Sequence, residues 1–383
     1  MSHPLQALLD QGVAEGIFPA ARAVVLHRGE VAFNGGAGGP GEGALFDLAS
    51  LTKPISTAAI FLSFWKQGAL SPQTPLAEHL PDAQVARDGA TFEDLLLHRS
   101  GLSAFLPFFA KVMRWYPRLF EPDCASMLRD EASKDVLRLA RAVVPERRRG
   151  QHALYSDIGY LLLGEALAHV GGAPLDALFA DRVAQPLGLG AHFRRLSAPS
   201  PRAEGLLPTG LTRPRDPAPG QAGLWDPFEP HASPAGEVDD DNAWCLDGVA
   251  GHAGLFGTAL DVARFGQEVL DGLAGKGKLA PADLWSRMVE PDRLTPGSTR
   301  TLAFDTPSSS EAGSPPSAGQ RLGNQPPGAV GHLGFTGCSL WVDLARSLVV
   351  GLCTNRTFLG RAEVRIRTFR PRFHDAVVEA LGL

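Results

Sequence analysis

Strand-patterned pairs stand at both ends of this chain around a middle patterned for helices, and few folds accommodate that order. Ala21 to His27 and Val31 to Gly35 are rich in β-formers and flank Arg28-Gly29-Glu30, a turn-like tripeptide, so they read as a tight hairpin. Ser339 to Val342 and Ser347 to Thr354 repeat the pattern around Asp343-Leu344-Ala345-Arg346. Between the two, apolar residues recur at helical spacing through 51–67, 135–143, 158–170 and 175–183. Thr91-Phe-Glu-Asp94 carries the capping-box pattern ahead of another helix that stops at Arg99-Ser100-Gly101. A short amphipathic helix over 4–16 opens the chain, and one with Phe373, Val377 and Leu381 on a single face closes it. This order predicts a mixed α/β (α+β) fold: an antiparallel sheet built from N- and C-terminal segments, flanked by helices, with a mostly helical domain inserted. The expected units are 1–66 plus 240–383 for the sheet domain and 67–239 for the helical insertion.

Length and charge narrow the partners. At 383 residues and 44% apolar content the chain can bury a large core as one big domain or two. Its 36 basic against 41 acidic residues give a formal charge of −5, which leaves no overall footprint for nucleic acid. Arg361, Arg365, Arg367, Arg370 and Arg372 then read as a solvated helix face, and Arg147-Arg148-Arg149 as a solvated loop. No apolar run approaches the roughly 20 residues that cross a bilayer. Residues 1–16 lack the cationic start and apolar centre of a secretory signal, so the expectation is a cytoplasmic protein with neither nucleic-acid nor membrane partner. Cys124, Cys245, Cys338 and Cys353 are scattered without a Cys-x-x-Cys pair and read as buried free thiols rather than metal ligands. The Pro/Gly-rich stretches 197–239 and 306–328 are expected to be long loops, a common form for lids over a site.

Three short stretches could carry chemistry. Ser50-Leu51-Thr52-Lys53 sets a hydroxyl and an amine three residues apart on one helix face, where Pro54 is tolerated because it falls in the first turn. Serine becomes a useful nucleophile only when a base takes its proton, and lysine can do so only when neutral. Tyr155-Ser156-Asp157 precedes an apolar helix; its phenol could relay a proton, and Ser156 or Asp157 could cap the helix. Gly331-His332-Leu333-Gly334-Phe335-Thr336-Gly337 is glycine-dense beside a strand, a composition that lets backbone N–H groups approach a ligand, with His332 as a candidate donor or auxiliary base. His98 and His252 lack any paired ligand spacing with His332, and no metal site is expected. The acidic run Val238-Asp239-Asp240-Asp241-Asn242 could cap a helix, line a cleft or be solvated.

In this order the stretches resemble the three signatures of the serine β-lactamase and penicillin-binding-protein-like superfamily: Ser-x-x-Lys, Tyr-x-Asn and Lys/His-Thr-Gly. Phe46-Asp-Leu-Ala-Ser-Leu-Thr-Lys53, Leu95-Leu-Leu-His-Arg-Ser-Gly-Leu102, Gly248-Val-Ala-Gly-His-Ala-Gly-Leu-Phe256 and Leu352-Cys-Thr-Asn-Arg356 extend the likeness from about residue 20 to the end. The resemblance implies a β-lactamase/transpeptidase-like fold with its site in a cleft between sheet and helices. It also implies a catalytic set of Ser50 as acylated nucleophile, Lys53 as its base and Tyr155 as proton relay. Asp157, His332, Gly334 and Phe335 would bind substrate, with the N–H groups of Ser50 and Phe335 as the oxyanion hole, and no cofactor is implied. Two departures bear on the substrate. Asp157 stands where the family commonly has Asn, and its carboxylate could pair with Lys53; Leu333 stands where Thr is usual and offers only apolar contact. The expectation is a serine hydrolase acting on a small ester, amide or peptide. D-alanyl-D-alanine carboxypeptidase or β-lactamase activity is the alternative within the family, and a catalytically silent scaffold the alternative outside it.

Overall fold

A computed structural model describes residues 3–121, 124–198, 204–308 and 317–383. Its main sheet has five antiparallel strands in the order Glu30–Ala37, Ala21–His27, Leu348–Thr354, Ser339–Asp343, Ala329–Leu333. The two expected hairpins meet where Ala21 pairs with Thr354 and His27 with Leu348, so the chain's two ends form one sheet. Arg28 (φ 52°) and Gly29 (φ 86°) make the first turn, in the left-handed conformation that two-residue hairpin loops require.

Both faces of this sheet are covered. Val24, Leu26, Val330, Leu340, Val342 and Val349 face the helix Ala259–Leu273 and the main core. Ala23, Val25, Trp341, Val350 and Leu352 face a second cluster with the helices Pro4–Ala14 and Ile366–Ala380. Strand Leu348–Thr354 is wholly buried, which is why it reads as an unbroken apolar run instead of an alternation.

The middle of the chain is helical as expected, with the helices Ser126–Arg141 and Asp157–Gly171 packed into the main core. Thr91 and Asp94 form the anticipated capping box. The core continues without a break across residues 66/67 and 239/240. His192–Phe193 pairs with Leu255–Gly257, which in turn pairs with Phe46–Asp47, so a second, three-stranded sheet joins segments from both expected units.

Several surface expectations are corrected. Arg361 and Arg370 are buried rather than solvated, Arg361 against Asp239 and Asp241, and Arg370 donating to the carbonyls of Gly334 and Cys338 at 3.0 and 3.1 Å. Arg147 and Arg148 are exposed, but Arg149 reaches Asp94 at 3.1 Å. Cys124 is half-exposed, whereas the other three thiols are buried. The described part of 306–328 is no lid: Ala318 and Leu322 are buried in the second cluster and Gly323 N–H donates to Asp343, on the sheet face away from the cleft. Within 197–239, by contrast, Gln221 and Asp239 reach the cleft wall. Residues 199–203 and 309–316 of these two calls lie outside the described residues.

Phe373 is fully buried between the last helix and the sheet. Phe373→Ala is therefore expected to cost about 3–5 kcal/mol, read as a lowered midpoint in urea unfolding.

Candidate active site

The chain leaves strand Phe46–Asp47, makes a tight 3-10 turn over Ala49–Leu51, and continues through a wide turn over Lys53–Ala58 into the helix Ala59–Lys66. Ala49 sits at φ 48°, a left-handed conformation that an L-residue adopts only when its surroundings impose it. The surroundings here are identifiable. Asp47 Oδ1 accepts the Ala49 N–H at 2.8 Å, Thr52 Oγ1 donates to Ala49 O at 2.6 Å, and Leu48 N–H donates to Leu255 O at 2.9 Å. Ser50 is thereby presented at the end of a rigid, strained turn.

Lys53 is completely buried, and three acceptors from separate parts of the chain surround its ammonium: Ser50 Oγ at 3.0 Å, Asp157 Oδ1 at 2.7 Å and His252 O at 3.1 Å. Burial disfavours its charged form, but the Asp157 carboxylate and the Tyr155 oxygen outweigh that and hold its pKa above the ordinary lysine value. Lys53 Nζ also lies 4.8 Å from the Tyr155 ring centroid. Burial raises the Tyr155 pKa, against the opposing pull of Lys53 and Ser50, so the resting site holds an ammonium beside a neutral phenol.

Tyr155 and Asp157 are held by the 98–104 segment. Leu154 N–H donates to His98 O at 2.8 Å, Ser156 N–H to His98 Nδ1 at 3.0 Å, and Asp157 N–H to Ala104 O at 2.9 Å. Ser156, not Asp157, is the N-cap: its hydroxyl accepts from Gly159 N–H and itself donates to Ser103 O. His98 packs between Tyr155 and Tyr160 with tilted rings, and burial first, then the charges of Arg300 and Lys53, keep its pKa well below the ordinary histidine value. A neutral imidazole suits an acceptor for the Ser156 N–H.

The third stretch is a sheet-edge strand, as its composition suggested, but its side chains divide differently. His332 lies against Tyr155 with ring centroids 5.9 Å apart. It is buried, does not line the cleft, and donates from Nδ1 to Leu333 O at 2.9 Å. Burial, then Lys53 and Arg300, hold its pKa well below normal, so it stands as a neutral imidazole beside the phenol. Leu333 packs with the second cluster on the opposite sheet face, so it offers no apolar contact in the cleft; neighbours along a strand alternate sides. Gly334 passes so close to the turn that carries Ser50 that a Cβ would stand 2.7 Å from Leu48 O. Phe335 follows in the turn that Gly337 N–H closes onto Gly334 O at 3.0 Å, and its ring lines the cleft beside Ser50.

The cleft is lined by Ala49, Ser50, Tyr155, Asp157, Asp239, Asp240 and His252, with Phe105, Phe109 and Phe335 as apolar surface. Ser50, Lys53, Tyr155, Asp157 and Phe335 thus converge as the sequence implied. Other participants were not anticipated. Asp47 carries no local signal, yet its carboxylate also accepts Asp239 N–H at 2.6 Å, and burial raises its pKa to about 7. Arg300 sits 5.1 Å from the Tyr155 ring centroid and pairs with Asp305, both from a stretch with no motif. The acidic run does two of the three things open to it: Asp240 caps the helix Asp241–Cys245, and all three aspartates line the cleft.

With this geometry in view, a family model described as Beta-lactamase matches residues 5–370. The chain belongs to the beta-lactamase family. Curated relatives include an N-acetylmuramyl-L-alanine amidase of Bacillus subtilis, 26% identical over 82% of this chain and 68% of its own length. A putative D-alanyl-D-alanine carboxypeptidase of Escherichia coli is 25% identical over 82% and 69%. Among solved structures, a penicillin-binding protein homologue from Pyrococcus abyssi superposes with a TM-score of 0.67 at 16% identity, covering 99% of this chain and 77% of that one. A class C beta-lactamase mutant does so at 0.65 and 16%, over 97% and 96%. The fold is that of the beta-lactamase family, and the protein is a serine hydrolase of that family.

Because Gly334 holds the third stretch against the turn that carries Ser50, Gly334→Ala is expected to lower kcat for a p-nitrophenyl ester by roughly tenfold to a hundredfold. An unchanged circular dichroism spectrum would show that the fold remains.

Proposed function

We propose that the protein hydrolyses an ester or amide of a small acyl compound through an acyl-enzyme at Ser50. The observation that carries this reading is the contact of Ser50 Oγ with Lys53 Nζ at 3.0 Å, with Tyr155 beside both, in one open cleft. In its deprotonated form Lys53 takes the Ser50 proton as Oγ attacks the carbonyl carbon. The backbone N–H groups of Ser50 and Phe335 receive the developing oxyanion. Tyr155 passes a proton to the leaving group, and water then releases the acyl group by the reverse sequence. No step calls for a metal or an organic cofactor.

A second reading within the family is a D-alanyl-D-alanine carboxypeptidase or β-lactamase, favoured by the name of the Escherichia coli relative. Such substrates carry a carboxylate. The one arginine among the described cleft residues, Arg361, is already bound to Asp239 and Asp241, which favours esters and amides that carry no carboxylate. The scaffold alternative leaves unexplained why a buried ammonium is held against a serine hydroxyl.

Two measurements test the reading. A short-chain p-nitrophenyl ester is expected to release a burst of about one equivalent of p-nitrophenol per site, and Ser50→Ala to abolish it; equal background rates in both proteins would end the acyl-enzyme reading. Lys53 must lose its proton to act and Asp157 raises its pKa, so kcat/KM is expected to climb on the alkaline side of neutrality. Asp157→Asn removes the anion and leaves the burial, so that limb moves to lower pH. A limb that stays in place would show that Lys53 is not the base.

A further inference from the structure

The charges in the cleft are distributed unevenly between buried and open positions. The cations are hidden: the Lys53 side chain is 0% exposed and that of Arg361 8%. Two carboxylates are open, with the side chains of Asp157 and Asp240 each 25% exposed. In both, every hydrogen bond falls on one oxygen. Asp157 Oδ1 takes Lys53 Nζ at 2.7 Å, and Asp240 Oδ1 takes Ala243 N–H at 2.7 Å and His252 Nε2 at 3.0 Å. The Oδ2 atoms of Asp157 and Asp240 have no hydrogen-bond partner among the described residues, yet neither is buried. Asp239 adds a carboxylate that is nine-tenths buried. Its Oδ1 also lacks a hydrogen-bond partner, the Arg215 Nε being 3.7 Å away.

We infer that the cleft selects substrates with a free ammonium group on the acyl side, such as amino-acid esters, amino-acid amides or the N-terminal residue of a short peptide, bound by the open oxygens of Asp157 and Asp240. This rests on the acyl-enzyme reading above and names the substrate class of the same site. The chemistry of the wall supports a cation over the alternatives. An ionised carboxylate is acceptor-only, so an unpaired oxygen facing a ligand calls for a donor, and a positively charged donor makes the stronger bond. A substrate carboxylate would face two like charges with no exposed cation among the described lining residues. Position sets which amine fits. Asp157 is one hydrogen bond from Lys53, which is one hydrogen bond from Ser50 Oγ, so an ammonium at Asp157 lies close to the acyl carbon. An α-amino acyl group has that spacing. Phe105, Phe109 and Phe335 supply the apolar surface for its side chain, and aromatic faces also favour an adjacent cation.

The test uses the full chain with p-nitrophenyl butyrate as reporter and three competitors: alanine p-nitroanilide with a free amine, its N-acetyl form and its N-succinyl form, each in both hands. Inhibition constants report binding whether or not the anilide is cleaved. The free amine is expected to bind roughly tenfold tighter than the acetyl form, with the succinyl form weakest. Asp240→Asn keeps the helix cap and removes the charge, and it is expected to shrink the ratio of acetyl to free-amine inhibition constants several-fold. A ratio near one in the natural protein, a preference for the succinyl form, or a ratio unmoved by Asp240→Asn would overturn the inference while leaving the acyl-enzyme intact. Absence of a Ser50-dependent burst with the butyrate ester would instead overturn the reading on which it rests.

Discussion

The buried ammonium of Lys53 is the constraint around which the rest of this structure is arranged. A lysine with no exposure is tolerated only when its charge is paired and its donors are satisfied; leaving such a charge unpaired costs several kcal/mol. Here the three partners are Ser50 Oγ, Asp157 Oδ1 and the carbonyl of His252, from three distant stretches. Satisfying one side chain therefore requires the Ser50 turn, the start of the Asp157–Gly171 helix and the glycine-rich segment before Leu255–Gly257 to meet at one point. The same contacts that pay the electrostatic cost assemble the chemistry.

Backbone geometry does the remaining positioning. The strained Ala49 is held by Asp47, and Asp47 is tied through its second carboxylate oxygen to Asp239 and through its carbonyl to the Thr336 hydroxyl at 2.7 Å. One residue thereby links the Ser50 turn, the acidic run and the third stretch. Glycine at 334 permits the close approach, and Arg370 from the last helix clamps the carbonyls of Gly334 and Cys338 behind it. The sheet, sandwiched between two apolar clusters, supplies the rigidity that such fine placement needs.

The acidic wall shows how a charge run acquires meaning from its setting. Asp239 and Asp241 neutralise Arg361, while Arg213 donates to Asp241 at 2.6 Å, forming a buried network that braces the cleft. Asp240, between them, turns one oxygen to its helix and to His252, and its other oxygen has no hydrogen-bond partner among the described residues. Three consecutive aspartates thus divide between bracing the arginines and capping a helix, a division set by the direction in which each side chain points.

What the sequence determined by itself follows local rules. Hairpin turns, the Thr91–Asp94 capping box and the contact of Ser50 with Lys53 depend on residues a few positions apart and appear where the pattern placed them, whereas the helix expected over 51–67 becomes α-helical only at Ala59 and the one expected over 135–143 already begins at Ser126. The convergence of Ser50, Tyr155 and Phe335 was legible only as a likeness between ordered motifs, because nothing local relates residues more than a hundred positions apart. Tertiary structure alone decided that His332 packs against Tyr155, that Leu333 faces the other side of the sheet, and that Arg361 and Arg370 are buried. It also brought in Asp47, Arg300 and the open oxygen of Asp240, none of which has a neighbour in sequence that reveals its task. Burial and charge pairing are sums over distant parts of the chain, so a pattern of near neighbours cannot contain them.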